Sequence, residues 1–405
     1  MQEDFPVFRK MKKSACSGCE ACANSCPIGC ITMTPDKEGF YFPLCDANKC
    51  IRCNKCIKTC PVLNLKERKL ILKSYAGFVK DDAIVNKSAS GGMFGSLMEA
   101  FESISAYKGY ICGVAWNASF TGAEHIISDR QIDFEKIRSS KYVQSRKNDI
   151  FKRIKTKLDD NRYILFSGTP CEVAGLKGYL NRDYKNLFTV DIVCQGPTSP
   201  KAMEEFVQWI IKKHKSNIRS VNMRYVKVVP WIPQWIKIEF ENGKSWCRLF
   251  YETSIGRAMH IMQRESCYIC KFNGGRRCSD ITIGDFHGSD ISKPYYNPYG
   301  TSIIVINTCQ GKKLFKALDR TNVYLEEVSY EDISIPNPRI IKAGNKHPFR
   351  TKFGSIFYEK GLNSAANASW SVRQKIRMKI PYNIRMKVRE IKRRNLCYGH
   401  FNDRR

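Results

Sequence analysis

The run Cys16-x2-Cys19-x2-Cys22-x3-Cys26-Pro27 recurs 34 residues later as Cys50-x2-Cys53-x2-Cys56-x3-Cys60-Pro61. Three thiols two residues apart can wrap one face of a metal–sulfur cage, but the cysteine before proline lies too far along to complete it and reaches a second cage instead. The chain therefore carries an internal repeat expected to hold two [4Fe–4S] clusters. One falls on Cys16, Cys19, Cys22 and Cys60, the other on Cys50, Cys53, Cys56 and Cys26. A pair of zinc sites is the competing assignment, yet zinc ribbons separate two C-x2-C pairs by a longer loop. Cys30 and Cys45 fall outside the repeat and read as small buried side chains. Cluster potentials vary widely, so the motif indicates a relay without giving its direction.

Nineteen cysteines in an oxidising compartment would suggest disulfides. The opening residues have neither a basic stretch nor an apolar core of signal-peptide type, so the expectation is a cytoplasmic chain whose thiols bind metal or do redox work. No apolar run reaches the roughly 18 residues of a membrane span. With 405 residues, about two to three domains are expected. A net charge of +30 raises nucleic acid, anionic membrane or an acidic protein as partners without choosing among them.

Beyond a charged connector at Lys66-Glu67-Arg68-Lys69, strand-like and helix-like stretches alternate as in an α/β domain. Strands are expected at 74–79, 109–116, 162–167 and 187–193, and helices at 93–105, 148–158, 171–180 and 201–213. Asn242-Gly243 between 234–241 and 244–251 marks a hairpin, so the sheet should be mixed. The fold expectation is an α+β ferredoxin-like module over 1–70, an α/β domain with a mixed sheet over 71–336, and a basic, partly helical tail over 337–405. Residues 341–405 hold 17 Lys or Arg against Glu359, Glu390 and Asp403. Within them, 371–394 interleave Ile, Met and Val with basic residues around Pro381, either a solvated helix packed on its own domain or a contact for an anionic membrane surface.

A second group of motifs lies in the α/β region. Phe166-Ser167-Gly168-Thr169-Pro170-Cys171 reads as a strand end followed by an N-cap, a helical proline and a first-turn cysteine. Helix N-termini lower thiol pKa values, which suits a redox thiol, a cluster ligand or a flavin contact; the plain alternative is a small core residue. Cys194 ends another strand, and Cys267-x2-Cys270 with Cys278 supplies three further thiols. Those four form the expected set for a third [4Fe–4S] cluster, against a zinc site or a vestigial group. Ser88-Ala89-Ser90-Gly91-Gly92-Met93 precedes a helix, as phosphate-cradling loops do, although plain loops share that wording. No G-x-G-x-x-G or Walker A sequence is present.

Taken in order, Ser88–Met93, Ser139-Ser140-Lys141-Tyr142, Gly168-Thr169-Pro170-Cys171, Val190–Gly196 and Ser279-Asp280-Ile281-Thr282-Ile283-Gly284-Asp285-Phe286 resemble the beta subunit of coenzyme F-420 hydrogenase/dehydrogenase over about residues 14–330. The resemblance implies FAD in the α/β domain, exchanging electrons with the clusters. It places Ser90, Gly91 and Gly92 near the FAD phosphates, with Lys141, Thr169 and Cys171 near the flavin and Lys141 and Cys171 as the catalytic candidates. Gln195 stands where the family usually has histidine, and His287 where it usually has tryptophan, which puts the substrate in doubt. Relatives with this module and tail resemble proteins encoded with bacterial surface-polysaccharide enzymes, implying a redox step in glycan assembly at the inner membrane face. The resulting expectation is an iron–sulfur flavoprotein oxidoreductase, fed by a redox partner protein or small electron donor and acting on an organic acceptor. The alternative is a non-catalytic relay subunit; specific nucleic-acid binding is not expected.

Overall fold

A computed structural model describes residues 5–65, 71–274 and 277–387. The cysteine repeat folds as a repeat. Helices Ala21–Ser25 and Lys55–Thr59 occupy equivalent places, each entered through a left-handed residue, Glu20 (φ 62°) and Asn54 (φ 58°). Strands β1 (Ile31–Pro35) and β2 (Tyr41–Cys45) form an antiparallel hairpin with Ile31 opposite Cys45.

Strands β3 (Lys73–Val79), β4 (Tyr110–Trp116), β5 (Ala123–Ser128), β6 (Ser145–Arg146), β7 (Ile164–Gly168) and β8 (Leu187–Ile192) belong to a nine-stranded sheet. A separate three-stranded antiparallel sheet comprises β9 (Ile218–Tyr225), β10 (Trp235–Phe240) and β11 (Ser245–Leu249). Strands β12 (Ile281–Asp285), β13 (Ser302–Ile306) and β14 (Val323–Glu327) complete the large sheet, whose order is β14-β3-β13-β12-β8-β7-β4-β5-β6. Its centre, β12-β8-β7-β4, is parallel, and fully buried runs such as Ile164-Leu165-Phe166 fit that position.

The sheet is mixed, as expected, but not because of the Asn242-Gly243 hairpin. That turn, with Gly243 at φ 78°, joins β10 to β11 in the small sheet, whereas antiparallel pairing in the large one comes from β13, β3, β14 and β5. The C-terminal region also does more than trail behind. Helices Arg350–Lys360 and Leu362–Ser369 insert Phe353, Phe357, Leu362 and Ala365 into the core shared with helix Pro200–His214 and the small sheet. Arg350 holds Glu38 of the β1–β2 turn with two 2.6 Å hydrogen bonds. The exposed amphipathic piece begins only at Val372–Lys379, and the end of the basic stretch 371–394, residues 388–394, lies outside the described residues.

The module docks on helix Pro170–Leu180, and two glycines permit the approach. A Cβ on Gly175 would lie 3.1 Å from Cys19 Sγ, and one on Gly178 would lie 2.5 Å from the Thr59 carbonyl. Among the described residues, no helix is long and apolar enough to cross a membrane.

Candidate functional site

The first thiol group is buried and mutually coupled. Burial pushes the Cys19 thiol up to about 12, with Cys60 and Cys16 adding to the effect. Cys22 is raised well above the ordinary thiol value by burial and then by Cys19, Cys16 and Cys60. Burial also raises Cys60, against N–H groups of Leu63 and Val62. Burial and mutual repulsion keep Cys19, Cys22 and Cys60 from ionising without a cation, which suits their expected role around a positively charged iron–sulfur core.

The second group contains more sulfur than the repeat requires. Cys26 Sγ lies 3.4 Å from Cys30 Sγ, which lies 3.8 Å from Cys45 Sγ, and the sulfurs of Cys30, Cys45 and Cys50 are all within 4.8 Å of one another. Cys30 and Cys45 are therefore neighbours of the expected ligands Cys26 and Cys50. A signal was available, because the position equivalent to Cys30 in the second half of the repeat is Asn64. Burial raises the Cys26 pKa, but hydrogen bonds from Cys30 and from the Ile28 and Gly29 N–H groups outweigh it and leave the thiol lowered. Cys53 is exposed.

A cavity of about 540 Å³ opens where the parallel strands end, the usual place for ligands in such sheets. Ser90, Gly92, Lys141, Thr169, Cys171, Cys194, Cys267 and Cys270 all line it, although they span nearly 180 residues of sequence. Thr169 caps helix Pro170–Leu180 with a capping box in which its N–H donates to Glu172 Oε2 at 2.8 Å. Cys171 lies in the first turn as expected, but its pKa is not lowered. Burial, then Glu172, then Cys194 and Cys270 raise it well above the ordinary value, overriding the helix N-terminus.

A further group of thiols gathers at the cavity. Cys171, Cys194, Cys267 and Cys270 interact with one another; burial followed by Cys270 pushes Cys267 up to about 12, and burial followed by Cys267 raises Cys194. Cys278 faces the Pro170 carbonyl at 3.9 Å and lines a separate small pocket with Pro61, Ala174, Lys177 and Phe272. Cys278 also packs in the apolar cluster that holds Cys171 and Cys270, so Cys171 joins Cys194, Cys267, Cys270 and Cys278 as a fifth thiol of this region.

Ser90 and Gly91 serve the fold more than the cavity. Ser90 Oγ donates to the Thr301 carbonyl, and the Gly91 N–H donates to Ser302 Oγ. A Cβ on Gly91 would come 2.6 Å from the Gly77 carbonyl, so glycine allows this loop to cross β3. Gly92, at φ 80°, faces the cavity ahead of helix Met93–Ile104.

Lys141 Nζ donates to the carbonyls of Lys136, Arg138 and Ser139 at 2.6, 2.9 and 3.3 Å, and burial pushes its pKa down to about 7. Ser17 Oγ, Arg138 Nε, Ser139 Oγ and Arg264 Nη2 are buried without hydrogen-bond partners on residues that line the cavity. Orphaned donors around a space of this size suit a polar, anionic cofactor such as FAD.

Sequence reasoning missed two further groups. Arg224 makes two 2.7 Å hydrogen bonds to Asp285 and one of 3.2 Å to the Tyr142 hydroxyl, and its guanidinium lies 4.9 Å from the Trp231 ring, which stacks with His287. Beneath Cys171, Glu172 accepts from Lys147 at 2.6 Å and from Ser145 at 2.7 Å. These are long-range pairings with no local sequence signal.

A family model for the C terminus of the coenzyme F420 hydrogenase/dehydrogenase beta subunit matches residues 160–332, and a 4Fe-4S dicluster domain matches residues 15–64. No curated protein matches. Among solved structures, a chain of the F420-reducing [NiFe] hydrogenase complex from Methanosarcina barkeri is similar, with 16% identity, 74% of this chain and 92% of that chain covered, and a TM-score of 0.44.

Proposed function

The chain joins a 4Fe-4S dicluster domain to the C-terminal domain of coenzyme F420 hydrogenase/dehydrogenase beta subunits, and from that premise we propose an iron–sulfur flavoprotein that exchanges electrons between a protein surface and an acceptor in the large cavity. The observation that carries this reading is the sequence of thiol groups in space. Cys53 is at the surface, Cys19 packs against Gly175, and Cys171, four residues earlier on the same helix, faces the cavity. One apolar cluster that includes Cys26, Cys56, Cys60, Cys171 and Cys270 joins these groups.

Bound [4Fe–4S] groups supply one-electron chemistry and a flavin supplies two-electron chemistry. The residues do the positioning. Cys16, Cys19, Cys22 and Cys60 would hold one cluster, and Cys26, Cys50, Cys53 and Cys56 a second. Cys171, Cys194, Cys267 and Cys270 are the better set for a third. Ser17, Arg138, Ser139 and Arg264 would bind the flavin's polar and anionic groups with donors that otherwise lack partners, and Gly92 would allow close approach of the backbone. Lys141 holds a proton loosely near neutral pH and can deliver it to a ligand in the cavity. Arg224, fixed by Asp285, and the Trp231–His287 pair form the wall available to an organic acceptor.

Anaerobic purification with iron, sulfide and flavin measured on one sample tests the reading. About twelve irons per chain with FAD are expected. Cys171→Ser should reduce this to about eight, whereas Cys278→Ser should leave it unchanged. Full iron without flavin, and refusal of added FAD, would leave the non-catalytic relay subunit as the reading. A role in polysaccharide assembly at a membrane face would require glycan substrates to be turned over by the loaded protein.

A further inference from the structure

The thiol group farthest from the cavity sits within an unusual surface. Residues 46–55 are exposed throughout except for Cys50, so Cys53 projects from an open loop. Beside it, Ile51 is 62% exposed and Ile28 44% exposed, and both line one shallow pocket with Arg52, Cys53 and Lys55. The charge around it has one sign. Between Gly39 and Leu65 the only acid is Asp46, against Lys49, Arg52, Lys55 and Lys58, and Asp46 is itself paired with Lys49 at 3.3 Å.

We propose that this face docks an acidic one-electron carrier protein, with Arg52, Lys55 and Lys58 steering it and Ile28 and Ile51 forming the dry contact beside Cys53. The inference rests on reading Cys26, Cys50, Cys53 and Cys56 as cluster ligands. Its force comes from the coincidence of three features. An exposed ligand gives the shortest entry to the buried thiol groups. Exposed isoleucines serve no purpose for a small diffusing reductant, but a protein partner can cover them. A predominantly basic loop whose one acid, Asp46, is already paired with Lys49 raises the encounter rate of an acidic protein and orients it. Among the described residues, the basic C-terminal segment 372–387 carries no cysteine.

The test uses the full chain loaded anaerobically with iron and sulfide, and a reduced acidic [2Fe–2S] ferredoxin as the probe, with cluster bleaching followed by stopped flow. The second-order rate should fall steeply as salt is raised and drop about tenfold in the Arg52→Glu, Lys55→Glu double variant. Ile51→Ser should weaken saturation by the carrier. Arg373→Glu with Lys375→Glu makes the same change in net charge on the C-terminal segment and should leave the rate within about twofold. Iron content is measured in every variant, and Lys49→Glu with Lys58→Glu replaces the first pair if that pair loses iron.

Dithionite separates the two levels of failure. If it cannot reduce the iron–sulfur groups of the unaltered chain, the cluster reading falls and this inference with it. If dithionite reduces every variant alike while the carrier rate ignores both charge reversals at the face, the clusters stand and the docking face is wrong. Equal slowing by the C-terminal control would likewise overturn it in favour of general net charge. Loss of binding to anionic vesicles in the face variant, with carrier kinetics unchanged, would assign the face to a lipid surface instead.

Discussion

Arg264 is a buried cation whose removal should be read directly as a potential. It is 1% exposed, its Nε donates to the Cys16 carbonyl at 2.6 Å, and its guanidinium lies 3.8 Å from the Phe42 ring centroid. Among the described residues it makes no ion pair, while its own carbonyl accepts from the Cys267 N–H at 2.9 Å. Gly18, at φ 69°, leaves room for it, because a Cβ there would come 3.1 Å from the guanidinium carbon. The positive charge thus stands at the Cys16 backbone and near enough to the Cys267 thiol to favour its ionised form. Adding the reach from a cysteine carbonyl to the centre of a cluster gives a separation of roughly 8 Å, and with an effective dielectric near 20 the interaction is about 2 kcal/mol. For a one-electron couple that corresponds to about 90 mV. On the proposed cluster assignment, Arg264→Gln should therefore move the midpoint potentials of the groups at Cys16 and Cys267 downward by about that amount in an EPR-monitored titration, with a smaller shift at the Cys53 group. Arg264→Lys keeps the charge and should retain most of the potential. Unchanged potentials in Arg264→Gln at full iron content would refute the argument, as would equal shifts in the Gln and Lys variants.

Three other substitutions probe separate links. Gly178→Ala puts a Cβ 2.5 Å from the Thr59 carbonyl and should cost about 1–3 kcal/mol, seen as earlier iron release in urea. Arg350→Ala breaks the two bonds to the partly buried Glu38 and the one to the Gln263 carbonyl, and should cost about 1.5–3 kcal/mol in unfolding. Lys141 carries a pH signature: its pKa is depressed from 10.5 to about 7, so the unfolded chain binds the extra proton between those values and stability without flavin should rise with pH across that window. In turnover the sign is opposite, because the protonated donor is lost above about pH 7; Lys141→Arg should abolish that decline in the pH–rate profile.

The parts of the site that were legible in the sequence are those whose geometry is local. The doubled cysteine spacing, the Thr169 cap and the strand endings at Cys171 and Cys194 each depend on a few adjacent residues. The nearness of Cys171 to Cys194 and Cys270 was not legible, because it comes from the fold bringing helix Pro170–Leu180 to residues far along the chain. The Ser90-Gly91 loop shows a similar limit. Its glycines suit a phosphate, but Gly91 is also what lets the chain pass over Gly77, and sequence alone does not separate close approach to a ligand from close approach to a strand. The C-terminal region is helical as expected, but how much of it joins the core was hidden by its charge. Basic residues on the outside of helix Arg350–Lys360 concealed Phe353 and Phe357 on its inside.

Helix Pro170–Leu180 carries Cys171 in its first turn and, one turn later, the bare Gly175 against which Cys19 rests. A turn of helix rises about 5.4 Å and hardly stretches. Electron tunnelling falls off exponentially with distance, so a gap bridged by two loosely docked domains would make the transfer rate fluctuate with every opening of their interface. On the proposed reading, the interval between the Cys19 and Cys171 groups is one turn of hydrogen-bonded backbone plus the packed contact of Cys19 on Gly175. The glycine keeps that contact close, so the rate the interval would govern depends on one short packed step and not on a wide domain gap.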